Sequence, residues 1–189
     1  MTRVFPHSGN RGFSVVELLL AVVIAAILIG AAMPSFLTLV TSSRIDGATR
    51  QLLYEIRSAQ SLAISRGGVF GFQWGGDPGP PPAGQLDSMY RVVRVNGGCD
   101  FPDVDAPVDG TDVIRGWLNL AGEYPGVTIQ SVQDLNNTEI GYVMFNSRGA
   151  SINNCVVPAP TFPLTITTVD NSGATRTIQI GRAGRVSII

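Results

Sequence analysis

The first strong pattern along the chain is the unbroken apolar run "FSVVELLLAVVIAAILIGAAM", from Phe13 to Met33. A helix over these 21 residues is roughly 30 Å long at about 1.5 Å per residue, which matches the hydrocarbon core of a bilayer. The only charged residue in the run is Glu17. Because an ionisable side chain at that depth costs roughly 2.5 kcal/mol or more, we expect this carboxylate to have a specific partner.

A second helical pattern follows the apolar run. Pro34 comes first, and a proline inside a helix removes a hydrogen bond and kinks the axis, so we expect the helix to resume after it. Apolar or small residues then recur at steps of three and four, at Ile45, Ala48, Leu52, Ile56, Ala59 and Ala63. This spacing predicts an amphipathic helix with one face packed on a domain. The glycines of "SRGG" at 65–68 predict its end.

Beyond residue 68 the hydrophobic period changes to two, which is typical of β-strands. The segments with this character are 69–74, 89–95, 113–120, 126–132, 140–145, 163–169 and 176–180. The sequence "DNSGA" at 170–174 predicts a hairpin turn between the last two. Glycine- and proline-rich stretches at 75–84 and 96–110 predict surface loops. The chain is therefore predicted to be a long helix followed by a β domain.

Charge is unevenly distributed along a chain of net charge −1, in which all 13 basic residues are arginine. Residues 77–139 hold ten acids and three arginines, whereas residues 140–189 hold four arginines and one acid, Asp170. The sole histidine, His7, precedes the apolar run. If the leader is removed, no Ser-His-Asp triad, Cys-His pair or histidine zinc site remains. No phosphate-binding glycine loop or paired-carboxylate site stands out, so we expect no catalytic residue, cofactor or metal.

The two cysteines, Cys99 and Cys155, are too few for a structural zinc site. In an oxidising compartment they could form one disulfide closing a loop of about 57 residues, worth roughly 4 kcal/mol on the chain-entropy model. The alternative is two unpaired thiols.

The acidic segment 103–112 lacks the ligand spacing of an EF-hand loop, so a solvated loop is favoured there over a calcium site.

The residues around the start of the apolar run resemble a known processing site. A secretory signal peptide has its small-residue cleavage site after the apolar stretch, whereas Gly12 comes before it. The basic leader, the Gly12–Phe13 junction, Glu17 and the apolar helix together resemble type IV prepilins and type II secretion pseudopilins. This resemblance implies cleavage between Gly12 and Phe13 by a prepilin peptidase, N-methylation of Phe13, and pairing of Glu17 with the Phe13 amine of a neighbouring subunit. A contact within the same chain is the alternative for this pair, because Phe13 and Glu17 are one helical turn apart. The alternative is an ordinary single-pass anchor that contains a glutamate.

The distal segments "YVMFNSRGAS" and "TIQIGRAGRVSI" resemble the globular domain of the FimT/GspH-like minor pilins and pseudopilins. That family shows a turn of the form Phe-x-x-x-Gly, here from Phe145 to Gly149, and a closing strand–Gly-Arg–strand. The resemblance implies an α+β fold, in which a long N-terminal helix (membrane half plus amphipathic half) packs on a C-terminal antiparallel β-sandwich. The expected divisions are a leader at 1–12, a transmembrane helix at 13–33, an amphipathic half at 34–66 and a globular β domain at 67–189.

The same resemblance implies a structural subunit rather than an enzyme. It would sit in the bacterial inner membrane as a single-pass protein, and then join the tip or initiation complex of a type IV pilus or a type II secretion pseudopilus. The two kinds of filament stay open alternatives. The N-terminus would be cytoplasmic, as Arg3 and Arg11 also favour, and the C-terminal domain periplasmic. Its partners would be other pilins or pseudopilins, the prepilin peptidase and the membrane. An enzyme anchored by a pilin-like helix is the rival class.

A further alternative concerns DNA. Some FimT-like minor pilins bind DNA during natural transformation through a Gly-Arg-x-Arg motif, and this chain has the related "GRAGR" with Arg182 and Arg185. Arg176 and Arg148 could extend a basic patch, and clustered arginines in a reachable loop are enough to bind phosphates. The competing interpretation is that these arginines are solvated surface residues of a structural subunit.

Overall fold

The computed structural model describes residues 14–75, 88–96, 101–102, 108–152 and 159–189. The chain divides into two compact units, Met1–Val40 and Thr41–Ile189. Helix α1 is Val15–Arg66. The described residues of the first unit are Ser14 and the first part of this helix, and the rest of the helix belongs to the second unit. The sequence led us to expect that the helix would resume after Pro34. In the structure Pro34 itself lies within α1, so the helical structure continues through this proline.

The first unit consists of the apolar half of α1. An 18-residue window of this helix has a mean hydropathy of 2.8, and none of that window is buried. By length and composition the helix is therefore able to cross a membrane, as the apolar run predicts.

In the second unit α1 is amphipathic, as predicted. The six residues of the predicted stripe are all fully buried: Ile45, Ala48, Leu52, Ile56, Ala59 and Ala63. The helix ends at Arg66, and Gly67 follows with φ of +67° while its amide donates to the carbonyl of Ala63 at 3.1 Å. Glycine adopts this left-handed conformation without a Cβ penalty, which explains why the helix ends where the sequence predicts.

The rest of the second unit is β structure with one short helix. The strands are β1 Phe70–Trp74, β2 Met89–Arg94, β3 Val113–Asn119, β4 Val127–Gln133, β5 Tyr142–Phe145, β6 Ser151–Ile152, β7 Leu164–Asp170, β8 Thr175–Ile180 and β9 Val186–Ile188, with α2 at Leu120–Glu123. They form a five-stranded sheet of order β3-β2-β1-β5-β6 and a four-stranded sheet of order β4-β7-β8-β9. Every pairing of these strands is antiparallel.

One hydrophobic core joins the buried stripe of α1 to both sheets. It takes Phe72 and Phe145 from the five-stranded sheet and Ile129, Ile166 and Ile178 from the four-stranded sheet. The predicted fold class, a long helix with an antiparallel β-sandwich packed on its second half, is confirmed. A smaller cluster around Val93 and Met144, with Phe101 packed against it, covers other side chains of the five-stranded sheet.

The hairpin between β7 and β8 has the predicted turn. Asp170 Oδ1 accepts hydrogen bonds from the amides of Ser172 at 2.8 Å and Ala174 at 2.9 Å. Gly173 has φ of +84°, a conformation that glycine adopts without strain. The hydrogen bond from the Ser172 hydroxyl, together with these amide bonds, favours the ionised side chain and so holds the pKa of Asp170 below its usual range.

Candidate functional site

The N-terminal candidate site lies at the start of α1. Glu17 is exposed in the first helical turn, where the amide of Leu18 donates to the carbonyl of Ser14 at 3.1 Å. A carboxylate near a helix N-terminus interacts favourably with the helix dipole. Gly12 and Phe13 lie outside the described residues, so cleavage, methylation and the Glu17–Phe13 pairing stay predictions.

The turn between β5 and β6 is fixed by Asn146. Its side-chain Oδ1 accepts from the amides of Arg148 at 2.9 Å and Ala150 at 3.1 Å. Gly149 has φ of +74°, and its amide donates to the carbonyl of Asn146 at 2.8 Å. The turn therefore needs the glycine of the Phe-x-x-x-Gly pattern, and it leaves Arg148 exposed.

The turn between β8 and β9 carries the other two candidate arginines. The amide of Gly181 donates to the carbonyl of Arg185 at 2.8 Å, and the amide of Gly184 donates to the carbonyl of Gly181 at 2.9 Å. Gly184 has φ of +84°. This tight turn exposes Arg182 and Arg185, while Gly184 is buried beneath them.

The two turns are held together by Gln60 of α1. Its Nε2 donates to the carbonyl of Gly149 at 2.7 Å and to the carbonyl of Gly184 at 2.9 Å. The carbonyl of Arg182 also accepts from the amide of Ser151, at 3.1 Å. The structure therefore brings Arg148, Arg182 and Arg185 onto adjacent turns. Sequence reasoning missed Gln60, because a glutamine beside the buried stripe of a helix gives no signal of contacts so distant in sequence.

Arg176, the fourth candidate, has a different environment. Its Nε lies 2.7 Å from Asp46 Oδ1 on α1, and its Nη1 donates to the carbonyl of Thr175 at 3.0 Å. Both partners of the ion pair are partly exposed, so the pair itself contributes little to stability. A carboxylate therefore offsets the positive charge of Arg176, whereas no ion pair of the arginines on the two turns is found within the described parts of the chain.

A buried carboxylate on the other side of α1 was also missed. Glu55 is fully buried, and its Oε1 accepts from Arg115 Nη1 of β3, whose side chain is 41% exposed. Glu55 Oε2 has no hydrogen-bond partner among the described residues. Burial raises the pKa of Glu55 above its ordinary value, the Arg115 charge opposes that rise, and Glu123 adds to it. Burial also raises the pKa of the neighbouring Tyr90 to about 12. We interpret this pair as a structural link between α1 and β3.

The acidic segment 103–112 is described by the structure from residue 108 onward. Asp109 Oδ1 accepts from the amides of Thr111, Asp112 and Val113, and these bonds hold the pKa of Asp109 below its usual range. No group of three histidine, cysteine or acidic residues suited to a metal occurs among the described residues. Cys99 and Cys155 lie outside the described parts of the chain, so the disulfide stays a prediction.

Two family models match this chain. Residues 7–33 match the prokaryotic N-terminal methylation motif, and residues 48–184 match the family described as type II transport protein GspH. These matches confirm the resemblance to pilin-like proteins that the sequence indicates. No curated protein sequence matches the chain.

Similar solved structures include two pilin-like proteins. The type IV minor pilin FimU of Pseudomonas aeruginosa is 17% identical with a TM-score of 0.48, and the match covers 78% of this chain and 90% of FimU. The minor pseudopilin EpsH from the type 2 secretion system of Vibrio cholerae is 9% identical with a TM-score of 0.48, and the match covers 77% of this chain and 96% of EpsH. The family model, which matches well over half of the chain, shows that this protein belongs to the GspH family of type II transport proteins.

Proposed function

We propose that this protein is a minor pilin or pseudopilin that assembles into the tip or initiation complex of a type IV pilus or type II secretion pseudopilus. One observation carries the proposal. A single helix, α1, is exposed and apolar in its first half, with Glu17 as the only charge, and buries a stripe in a β-sandwich along its second half. Such a chain has one part suited to a membrane or a helix bundle and another part that forms an independent core.

The proposed assembly step rests on two charges that each need a partner. Cleavage between Gly12 and Phe13 by a prepilin peptidase would create a new amine at Phe13, at the same membrane depth as the carboxylate of Glu17. In a medium of low dielectric, an unpaired carboxylate or amine is costly. Pairing Glu17 with the Phe13 amine of a neighbouring subunit neutralises both groups and fixes the axial register of the two helices.

Mass spectrometry and copurification test this step. The membrane-extracted protein is expected to begin at an N-methylated Phe13. Glu17→Ala is expected to be cleaved normally but to lose copurification with other pilin-like subunits. Glu139→Ala is the matched control, because it removes an exposed acid from the β domain and should change neither result. A chain that still begins at Met1 in cells with an active peptidase would contradict the proposal.

DNA binding is the second candidate function, and the adjacency of the two arginine-bearing turns favours it. Gln60 ties both turns to α1, and Arg148, Arg182 and Arg185 are exposed on them. Three guanidinium groups on one surface suit phosphates along a duplex backbone, without reading the base sequence. Such a surface would serve DNA capture by a tip subunit.

A salt titration of the detergent-solubilised chain against a short random duplex tests DNA binding. With about three phosphate contacts, log K should fall with log salt at a slope of about −3. Replacing both Arg182 and Arg185 by alanine should flatten that slope by about two units. Arg176→Ala serves as the control and should change the slope little, because Asp46 already offsets this charge. If the wild type and the double variant bind equally, or neither binds at low salt, the DNA function is wrong.

A further inference from the structure

The loop between β4 and β5 contains an acceptor sequence for a covalent modification. Asn136, Asn137 and Thr138 form the triplet Asn-x-Ser/Thr, and no other position in the 189 residues begins such a triplet. This triplet is the acceptor sequence for N-linked glycans in exported proteins. Asp134 lies two residues before Asn136, so the segment reads Asp-x-Asn-x-Thr. The carboxylate offers a transferring enzyme one more group to bind, so the five-residue segment is a more specific signal than the triplet.

The fold presents Asn136 to solvent. All five residues from 135 to 139 are exposed, whereas Asp134 and Ile140 on either side are buried. The amide of Asn137 donates to the carbonyl of Asp134 at 3.0 Å, and Asn137 has φ of +61°, so the chain turns sharply at the tip of the loop. No hydrogen bond of the Asn136 side chain is found within the described residues. A sugar attached to Asn136 therefore extends into solvent and displaces no part of the core.

The folded loop holds the carboxylate that precedes the acceptor asparagine. Asp134 is only 5% exposed. Its Oδ1 accepts from the amides of Asn136 at 2.9 Å and Thr138 at 2.8 Å, which fixes the loop. Its Oδ2 accepts from the amide of Thr161 at 3.0 Å and from the hydroxyl of the same residue at 3.1 Å. Once the loop has folded, an enzyme that binds the segment as an extended peptide meets neither a free carboxylate nor an extended backbone.

We propose that Asn136 accepts an N-linked glycan on the periplasmic side of the membrane, before the loop between β4 and β5 folds. The sole acceptor triplet and the exposed asparagine support the site, and the buried Asp134 supports the order of events. After transfer, Asp134 leaves the enzyme and becomes the hydrogen-bond acceptor that shapes the loop. This inference goes beyond the proposed function, because it needs the β domain to reach the periplasm but does not need the chain to assemble.

The transfer needs a lipid-diphosphate-linked oligosaccharide as the donor and an oligosaccharyltransferase as the catalyst. Nδ2 of Asn136 forms a bond to the anomeric carbon of the first sugar. The bond between that carbon and the diphosphate oxygen breaks, and the lipid diphosphate leaves with the electron pair. Nδ2 loses one proton, and no atom is oxidised or reduced.

Mass spectrometry of the full chain, extracted from membranes of the cells in which it is native, tests the site. The peptide that contains Asn136 should carry the added mass of an oligosaccharide, and tandem spectra should place this mass on Asn136. Asn136→Gln should abolish the added mass. Asn171→Gln is the matched control, because Asn171 is also exposed in a turn but has glycine, not serine or threonine, two residues later.

Two variants of Thr138 separate recognition by an enzyme from a role in the fold. No hydrogen bond of the Thr138 hydroxyl is found in the described parts of the chain, so Thr138→Ala should leave the β domain folded. We expect Thr138→Ala to lower the glycosylated fraction about tenfold or more, whereas Thr138→Ser should retain it, because serine keeps the hydroxyl of the acceptor triplet. A fraction that Thr138→Ala leaves unchanged would count against enzymatic recognition of this segment.

Transfer in vitro tests the order of events. The acceptors are a synthetic peptide of residues 131–141 and the folded, detergent-solubilised full chain made in cells without a transferase. Each is mixed with a bacterial oligosaccharyltransferase and a lipid-diphosphate-linked oligosaccharide. The peptide should be modified about tenfold faster or more, because the folded loop must first open and release Asp134. Equal rates would refute the order, and an unmodified peptide would refute Asn136 as an acceptor.

An unmodified Asn136 in the native wild-type protein overturns the inference, and so does an added mass that persists in Asn136→Gln. Protease treatment of spheroplasts from the same cells separates this inference from the proposed function. If protease reaches the β domain from the periplasmic side while Asn136 is unmodified, only the glycan is wrong. A β domain that is protected in spheroplasts contradicts the export that the proposed function requires.

Discussion

Gly184→Ala is expected to be one of the most damaging single-methyl additions in the β domain. A Cβ at this position would overlap the carbonyl oxygen of Gly149 and lie 2.5 Å from Gln60 Nε2. Neither neighbour can move freely, because Gly149 lies in a tight turn and Gln60 donates to both turn carbonyls. The added methyl group must therefore push the two turns apart or break the bonds of Gln60.

The magnitude follows from two separable effects. An alanine held at φ of +84° costs about 1–2 kcal/mol in backbone strain. Loss of the two Gln60 hydrogen bonds costs about 1 kcal/mol each. We therefore expect Gly184→Ala to lower the free energy of unfolding by about 3–4 kcal/mol, a large part of the stability of a typical domain.

Gly173→Ala isolates the strain from the overlap. Gly173 has the same φ of +84°, but a Cβ there would meet nothing within 4 Å. Urea unfolding of the detergent-solubilised chain, followed by tryptophan fluorescence, measures both variants. The signal reports on the β domain alone, because the two tryptophans of the chain, Trp74 and Trp117, lie in β1 and β3. We expect a loss of about 1–2 kcal/mol for Gly173→Ala. Equal losses for the two variants would refute the close approach of the two turns.

Three further predictions concern other parts of the domain. Arg115→Ala should lower the free energy of unfolding by about 1–3 kcal/mol, because it leaves the buried carboxylate of Glu55 unpaired. This loss of stability should grow as pH rises through the native pKa of Glu55. Urea midpoints measured across pH check this, and adding Glu55→Gln to the Arg115→Ala variant should remove the added pH dependence. Asp134 accepts bonds from several amides that hold its native pKa below the unfolded value of about 3.9, so the stability it contributes is present above about pH 4 and is lost as pH falls through the native pKa. Asp134→Asn should accordingly flatten the acid side of the unfolding curve, and an unchanged curve would count against these bonds. Non-reducing peptide mapping of protein extracted from the periplasmic side should find Cys99 linked to Cys155, and two alkylated thiols would refute the bond.

The sequence predicted those elements whose burial follows a regular period. The stripe from Ile45 to Ala63 is confirmed, because one face of α1 packs on the core while the other meets solvent. Strand β7 alternates strictly between buried and partly buried residues, and the predicted segment 163–169 differs from Leu164–Asp170 by one residue at each end. Segment 69–74 was assigned to a strand by its period of two, whereas strand β1 is buried at all five positions, as expected of a strand that is covered on both faces.

The elements that the sequence missed are short or depend on distant contacts. Strand β6 has two residues, too few for any period, and α2 begins at Leu120, which was assigned to the end of a strand. Arg91 is buried to 1% exposure, since its side chain donates to Gln73 at 2.7 Å and its guanidinium lies 4.6 Å from the centre of the Trp117 ring. A hydrophobic pattern counts arginine as polar, so it cannot predict that Arg91 is buried. The residues that interact with its guanidinium, Gln73 and Trp117, come from other strands.

The candidate site was predictable as a set of residues but not as an arrangement. The "GRAGR" segment and the Phe145–Gly149 turn were both identified through their resemblance to the FimT/GspH-like pattern. Their adjacency depends on Gln60, whose acceptors lie 89 and 124 residues further along the chain. The pairing of Arg176 with Asp46 depends in the same way on helix-to-sheet packing.

The contacts of α1 within the β domain also determine how the domain responds to mechanical load. Thr49 bonds to Thr168 of the four-stranded sheet at 2.9 Å, and Glu55 pairs with Arg115 of the five-stranded sheet. Gln60 then bonds to a turn of each sheet. A tensile force that enters the domain along the chain at Thr41 is therefore transmitted by one helix to both sheets. Neither sheet can be sheared off α1 while the other bears no strain.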